Sequence, residues 1–398
     1  VMSFYRHFRA LADAALGRER AGANFIAITD AGTALERLAR EEGFRRAFLN
    51  PADIGGRFSG QSLFGLVPGA VIGMELPRFI ESVDAMRRRC ELPCAAENPG
   101  ARLGAALAAL AQKGVDKAAL ITSPSLEALG LWTEQLLAES LGKDGKGIVP
   151  IAGEPPVEPG AYNADRLFAY IRLAGDDNAA TDARVDALAA AGKPVVRLDL
   201  DDAYALGGEL YRWEFATAVA GVLLDVHPFD QPNVQEAKDI ASASVAAYER
   251  TGALPDPGET PPAEQLLGLI RPGDYLAFQV YLPQSAELDA ALNRARSAVV
   301  ERFGVAAAAG YGPRYLHSTG QLHKAGPNSG VFVQVVGGDG ADLPIPTRGY
   351  SFGVLARAQA DGDLRSLRQG GRRVARVDAD GGAAAALDAF AESVRRFA

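Results

Sequence analysis

Three short segments of this chain carry side chains whose types and spacing suit proton transfer. Asp53-Ile-Gly-Gly-Arg-Phe-Ser59 sets Arg57 behind a glycine pair. Glu134-Gln-Leu-Leu-Ala-Glu-Ser140 sets Gln135 and Glu139 four apart, the spacing that puts two side chains on one helix face. Phe229-Asp-Gln-Pro-Asn-Val-Gln-Glu-Ala-Lys238 adds Gln231 and Lys238. A carboxylate can take a proton from one carbon and return it to the next, while cations hold the developing oxyanion and the hydroxyls. Together the segments supply what a proton shift between adjacent carbons of a sugar phosphate requires.

Each segment has a local logic. Gly55 and Gly56 are expected to let the backbone turn and expose its N–H groups. Arg57 then projects beyond a strand end, where open α/β sheets bind ligands. Asn50, Asp53 and Ser59 crowd the same loop. Around Glu139, Trp132, Leu136 and Leu137 predict a largely buried helix. A carboxyl at the edge of such an apolar face has its pKa raised. The alternative reading of Glu139 is an exposed amphipathic face, which Glu134 would share. Asp230 or Gln231 caps the helix that Pro232 opens, with Lys238 near its second turn.

Histidine is scarce: His7, His227, His317 and His323. His317 and His323 fall in a glycine-rich stretch that reads as largely irregular. They are candidates for proton transfer because imidazole titrates near neutrality, and a structural hydrogen-bonding role is an equal alternative. No third ligand accompanies them at metal-binding spacing, so no metal is expected. Cys90 and Cys94 are the only cysteines, which reads as a reducing compartment without a disulfide framework. The net charge of −8 argues against a nucleic-acid partner. The longest apolar run, residues 63–74, contains Pro68 and is too short to span a bilayer. A cytoplasmic protein without a membrane partner is the expectation. The phosphate-binding glycine motifs of nucleotide and dinucleotide sites are missing, as is the nucleophile elbow of α/β-hydrolases.

The elements that must position these residues alternate strand and helix, which predicts α/β architecture: parallel sheets with helices on both faces. Helices are expected at 4–16, 33–42, 101–113, 125–141, 211–224, from 232, at 287–303 and at 383–397. Strands are expected at 25–29, 47–50, 118–122, 147–152, 167–173, 194–200, 275–281 and 331–336. Residues 252–262, rich in Pro, Gly and acidic residues, read as a linker.

As a combination, these motifs resemble glucose-6-phosphate isomerase, in the sugar-isomerase (SIS) fold. The likeness is closest to the isomerase half of the bacterial bifunctional transaldolase/glucose-6-phosphate isomerases. It rests on residues 48–59, residues 131–140 with Gly142-Lys143 and Gly145-Lys-Gly-Ile148, residues 228–238 and residues 315–328, and is expected to extend over nearly the whole chain. It implies doubly wound SIS subdomains: a partial first one at 1–95, a second at 96–251, the linker at 252–262 and a C-terminal α/β region at 263–398. The implied reaction interconverts glucose 6-phosphate and fructose 6-phosphate through a cis-enediolate, with no cofactor. Glu139 looks like the proton-shuttling base, Arg57 like the arginine that stabilises the enediolate and Lys238 like the lysine near the ring oxygen. Gly56, Gln135 and Gln231 match substrate-lining positions. The resemblance also implies a homodimer.

Two departures from the family pattern stand out. The family's ring-opening histidine lies between the base and the lysine, where this chain has only His227, so His323 or His317 is left as the substitute. The family's Gly-Gly-Ser segment and Ser/Thr-rich phosphate loop would precede the first helix, and the chain begins at Val1-Met-Ser3. An N-terminally truncated isomerase is therefore expected. The alternatives are a non-catalytic phosphosugar-binding module or inactive fragment, and an SIS isomerase acting on mannose or an amino sugar.

Overall fold

The computed structural model describes residues 1–230, 232, 234–337 and 342–397. The first region comprises helices α1 (Met2–Leu16) and α2 (Arg18–Ala21), strand β1 (Ile26–Asp30), helix α3 (Ala34–Glu41), strand β2 (Arg46–Asn50), and helices α4 (Leu63–Val71) and α5 (Leu76–Cys90). β1 and β2 pair in parallel as a two-stranded sheet. Thr33 caps α3 by accepting from the Glu36 N–H, an end-satisfying device that polar N-cap residues provide.

The middle region runs through α6 (Pro99–Ala111), β3 (Lys117–Thr122), α7 (Glu127–Leu141), β4 (Val149–Ala152), β5 (Arg166–Leu173), α8 (Ala179–Ala190), β6 (Val195–Leu200), α9 (Leu206–Leu224) and α10 (Val234–Thr251). Its sheet is parallel, ordered β4-β3-β5-β6. The C-terminal region has β7 (Tyr275–Tyr281), α11 (Ala286–Phe303), β8 (Ala306–Tyr311), α12 (Gly320–Ala325), β9 (Gly330–Val336), α13 (Phe352–Gln369), β10 (Arg373–Asp378) and α14 (Ala383–Arg396). Its sheet is also parallel, ordered β10-β9-β7-β8. The α/β class expected from the sequence is the one observed. The stretch expected to be irregular around His317 and His323 contains the short helix α12 instead.

The middle and C-terminal regions share a core. Ile121, Phe168 and Tyr170 belong to the same buried cluster as Leu276, Phe278, Val280 and Leu292. Polar contacts fasten the seam around it. The buried Arg296 guanidinium donates to the Gly153 carbonyl at 2.6 Å and to the Ala152 carbonyl at 3.0 Å. Glu154 accepts from the Ala307 N–H at 2.9 Å and pairs with Arg166. The opposite face of the middle sheet packs on α6, α7 and α9 through Leu107, Leu136, Leu137 and the fully buried Trp213. Truncating Leu136 or Leu137 to alanine would cost about 2–5 kcal/mol each, as for other large-to-small core changes. The helix that carries Glu139 is therefore a rigid platform.

Candidate active site

Helix α7 and the loop after β2 meet over a buried polar cluster. Asn50 closes β2 and its side-chain oxygen accepts from the Leu63 N–H at 3.1 Å, holding the loop against the start of α4. Within the loop, Gly56-Arg57-Phe58 forms one 3-10 turn, and the Ser59 hydroxyl donates to the Gly56 carbonyl at 2.5 Å. The glycine pair is not demanded by backbone shape, because Gly55 sits at φ −69° and Gly56 is not among the positive-φ glycines. A Cβ at Gly55 or Gly56 would meet nothing within 4 Å. These two glycines leave open space beside the arginine, rather than enabling a tight turn as expected.

Arg57 is 2% exposed. Its Nε donates to the Ser140 hydroxyl at 2.7 Å, and its Nη2 donates to the Pro228 carbonyl at 2.8 Å and the Asp230 carbonyl at 3.0 Å. Its Nη1 lies 3.7 Å from Glu139 Oε1. The other Glu139 oxygen accepts from the Gln135 amide at 3.2 Å. Burial lowers the Arg57 pKa, and the charges of Glu139 and Asp230 oppose that fall. Glu139 lies in the last turn of α7, where the helix dipole disfavours a negative charge. The guanidinium offsets that cost.

Lys143, just beyond α7, is 3% exposed. Its ammonium donates to the His227 carbonyl, to the Asp230 carbonyl at 2.6 Å and to the Asp230 carboxylate at 2.6 Å. Burial lowers the Lys143 pKa, opposed by the Asp230 hydrogen bond, and the same bond lowers the Asp230 pKa. Two cations thus clamp the loop 227–230 from below. Phe58 and Phe229 close the contact from the side, with ring centroids 5.2 Å apart. Sequence reasoning places Lys143 within a motif but assigns it no role. The only signal is its position four residues after Glu139, past a glycine. That glycine is needed: a Cβ on Gly142 would stand 2.6 Å from the Leu322 backbone.

The other predicted residues fall in different places. Lys238 lies on the second turn of α10, and its side chain is outside the described residues. Gln231 lies outside the described residues altogether. His323 is 4% exposed on α12. Its ring packs on Phe332 at 4.8 Å, Tyr315 at 5.9 Å and Tyr275 at 6.2 Å, and shares a 3.2 Å hydrogen bond with Gln279. Burial drives its pKa well below the usual histidine value, so the ring is neutral. None of these neighbours belongs to the Arg57–Glu139 cluster. His317 is exposed at the end of the 3-10 turn that precedes α12. His227 is the histidine of the clamped loop, with Nδ1 3.7 Å from the Asp230 carboxylate.

Glu134 departs from the exposed surface residue expected. It is 1% exposed, and burial pushes its carboxyl up to about 7, against the pull of Arg314 and Arg296. Among the described residues, no group of three or more His, Cys, Asp or Glu is arranged to hold a metal ion, and no helix is long and apolar enough to cross a membrane.

No family model matches the chain. It is 31% identical over 271 residues to a glucose-6-phosphate isomerase of Symbiobacterium thermophilum, covering 59% of this chain and 60% of that protein. It is 32% identical over 272 residues to a glucose-6-phosphate isomerase of Bacillus cereus, with the same coverage of each. Among solved structures, a hypothetical protein of Thermus thermophilus superposes with a TM-score of 0.51 and 25% identity, over 59% of this chain and 65% of that one. The chain thus spans about three fifths of the length of the curated relatives it matches. Over that stretch, which is narrower than the near-complete likeness expected, its sequence similarity is to the glucose-6-phosphate isomerases.

Proposed function

We propose that the chain is an aldose–ketose isomerase acting on a sugar phosphate, interconverting glucose 6-phosphate and fructose 6-phosphate. The observation that carries the reading is the buried pair of Arg57 and Glu139 at 3.7 Å, beside the open space left by Gly55 and Gly56. Glu139 serves as the base: it takes a proton from one carbon and delivers it to its neighbour. Gln135 holds one carboxylate oxygen, which leaves the other to face the substrate. Arg57 is the charge against which the enediolate oxygen develops, a preorganised arrangement that requires no solvent to reorient. Gly56 gives the sugar its room. By the family resemblance, Gln231 and Lys238 are assigned the contacts to the sugar hydroxyls and the ring oxygen. Lys143 is a positioning residue, since it reaches substrate only through the loop it clamps.

Ring opening needs a proton donor and acceptor. His227 sits on the clamped loop beside Asp230, and is better disposed for it than the buried, neutral His323. His317 remains a candidate on exposure alone. The cytoplasmic location, the homodimer and the subdomain division at 1–95, 96–251 and 263–398 belong to the same proposal.

The test is a coupled assay of fructose 6-phosphate conversion, run beside calorimetry with the same ligand. Wild-type turnover that falls by about 10³-fold or more in Glu139→Gln, with binding retained, is expected when a general base is removed. Turnover unchanged in that variant would remove Glu139 from the role of base. Binding without wild-type turnover would favour the phosphosugar-binding module instead.

A further inference from the structure

A second concave site lies away from the Arg57–Glu139 cluster. It is a cleft of roughly 590 Å³ between the last turn of α5, the first half of α6, the sheet-edge strand β6 and helix α9. Its walls are apolar, with Leu103, Val196 and Leu198 among them, whereas its charged groups are all arginines: Arg89, Arg102, Arg197 and Arg212. A volume of that order suits a small metabolite.

The local acids pair with only two of these four arginines. Asp84 and Glu91 are engaged by Arg87 and Arg88, at 2.5–2.7 Å. Arg197 has one exposed partner, Asp199, at 3.0 Å. Among the described residues, Arg89 and Arg102 have no ion-pair partner. Arg212 is the least exposed of the four. It touches Glu209 at 3.3 Å through one terminal nitrogen, while its Nε is buried without an acceptor. The concentration of cations is also local, because the chain as a whole carries a net charge of −8.

We propose that this cleft binds an organic phosphate that carries a flat ring. Guanidinium groups match phosphate oxygens with paired N–H bonds and stack on flat rings, which point-charge lysines do less well. The apolar wall takes the rest of the molecule. The inference is independent of the proposed isomerase reaction, because no lining residue belongs to that cluster.

Adenosine 5′-monophosphate is a suitable probe, with adenosine and inorganic phosphate as its two halves, measured by calorimetry on the whole chain. AMP is expected to bind, and each half to bind at least about tenfold more weakly, a loss of about 1.4 kcal/mol. The exposed pair of substitutions Arg102→Glu and Arg197→Glu should weaken AMP by about tenfold or more and leave the circular dichroism spectrum unchanged. Rising salt should weaken it as well. Undetectable AMP binding, or AMP binding untouched by the double substitution, would overturn the proposal. So would phosphate binding as tightly as AMP, or an acidic peptide binding at the cleft when AMP does not.

Discussion

Glu134 and Glu139 stand five residues apart on one helix, both nearly excluded from water, yet their settings are opposite. Glu139 has a guanidinium at 3.7 Å and an amide at 3.2 Å. Glu134 faces the C-terminal region, with one oxygen lacking any hydrogen-bond partner, and burial pushes its pKa up to about 7. The lesson is that depth alone does not make a carboxylate a reactive base. Desolvation without a close cation stores a proton. Glu139 instead has a guanidinium and an amide as fixed polar partners, the setting on which its proposed role rests.

The largest expected effect comes from removing the cation of the reactive pair. Arg57→Met should lower kcat/KM in the isomerase assay by about 10³-fold, the scale for losing a preorganised oxyanion partner. A near wild-type value would mean that Glu139 needs no such partner and would dissolve the contrast. The second effect concerns the other carboxylate. An unfolded glutamate titrates near about 4.3 and folded Glu134 near about 7, so the folded state holds the extra proton between those values. Stability on that account is present below about 4.3 and is lost as the pH rises through about 7, by roughly 4 kcal/mol. Glu134→Gln, which mimics the protonated form, should remove that slope from urea-denaturation curves taken between about pH 5 and 8. Glu214, pushed up to about 8 by burial, adds a slope of the same sign, so the difference between wild type and variant is the quantity to read.

Smaller effects sharpen the comparison further. Lys143→Met should lower kcat/KM by about tenfold, the equivalent of one lost charged hydrogen bond to the loop. In a double-mutant cycle with Arg57→Met the two losses should be less than additive, because both cations hold the same carbonyl of Asp230. Gln135→Ala should be mildest, a few-fold drop in kcat with little change in KM, because it frees one oxygen of the base without removing charge.

Much of this is legible in the sequence. β7 has the bounds its apolar run predicts. Arg57 and Glu139, both singled out in the sequence, stand 3.7 Å apart. Strand β8 is not legible. Its sequence, Ala-Ala-Ala-Ala-Gly-Tyr, is helix-favouring, and pairing with β7 overrides that propensity. Helix α13 escapes a reading by pattern because it buries two acids, which breaks the apolar stripe that marks a helix. Asp361 has one partner on its own helix, Arg357 at 3.3 Å, but its shorter contact, Arg376 at 2.7 Å, and the partners of Asp363, the Tyr315 hydroxyl at 2.6 Å and Lys324, come from elsewhere in the fold. Glu134 misleads for the same reason, since the groups that make its burial tolerable come from the C-terminal region. The role of Lys143 depends on carbonyls 84–87 residues away, and no local pattern encodes them.

The apolar cluster that Ile121 and Phe168 share with Leu276 and Phe278 has a practical consequence. Cutting the polypeptide within 252–262 would not release two soluble pieces. Each would carry a bare greasy face and a row of stranded polar groups from the seam, so either fragment made alone should precipitate. Produced together in one cell, the pieces should find each other and restore a single soluble particle.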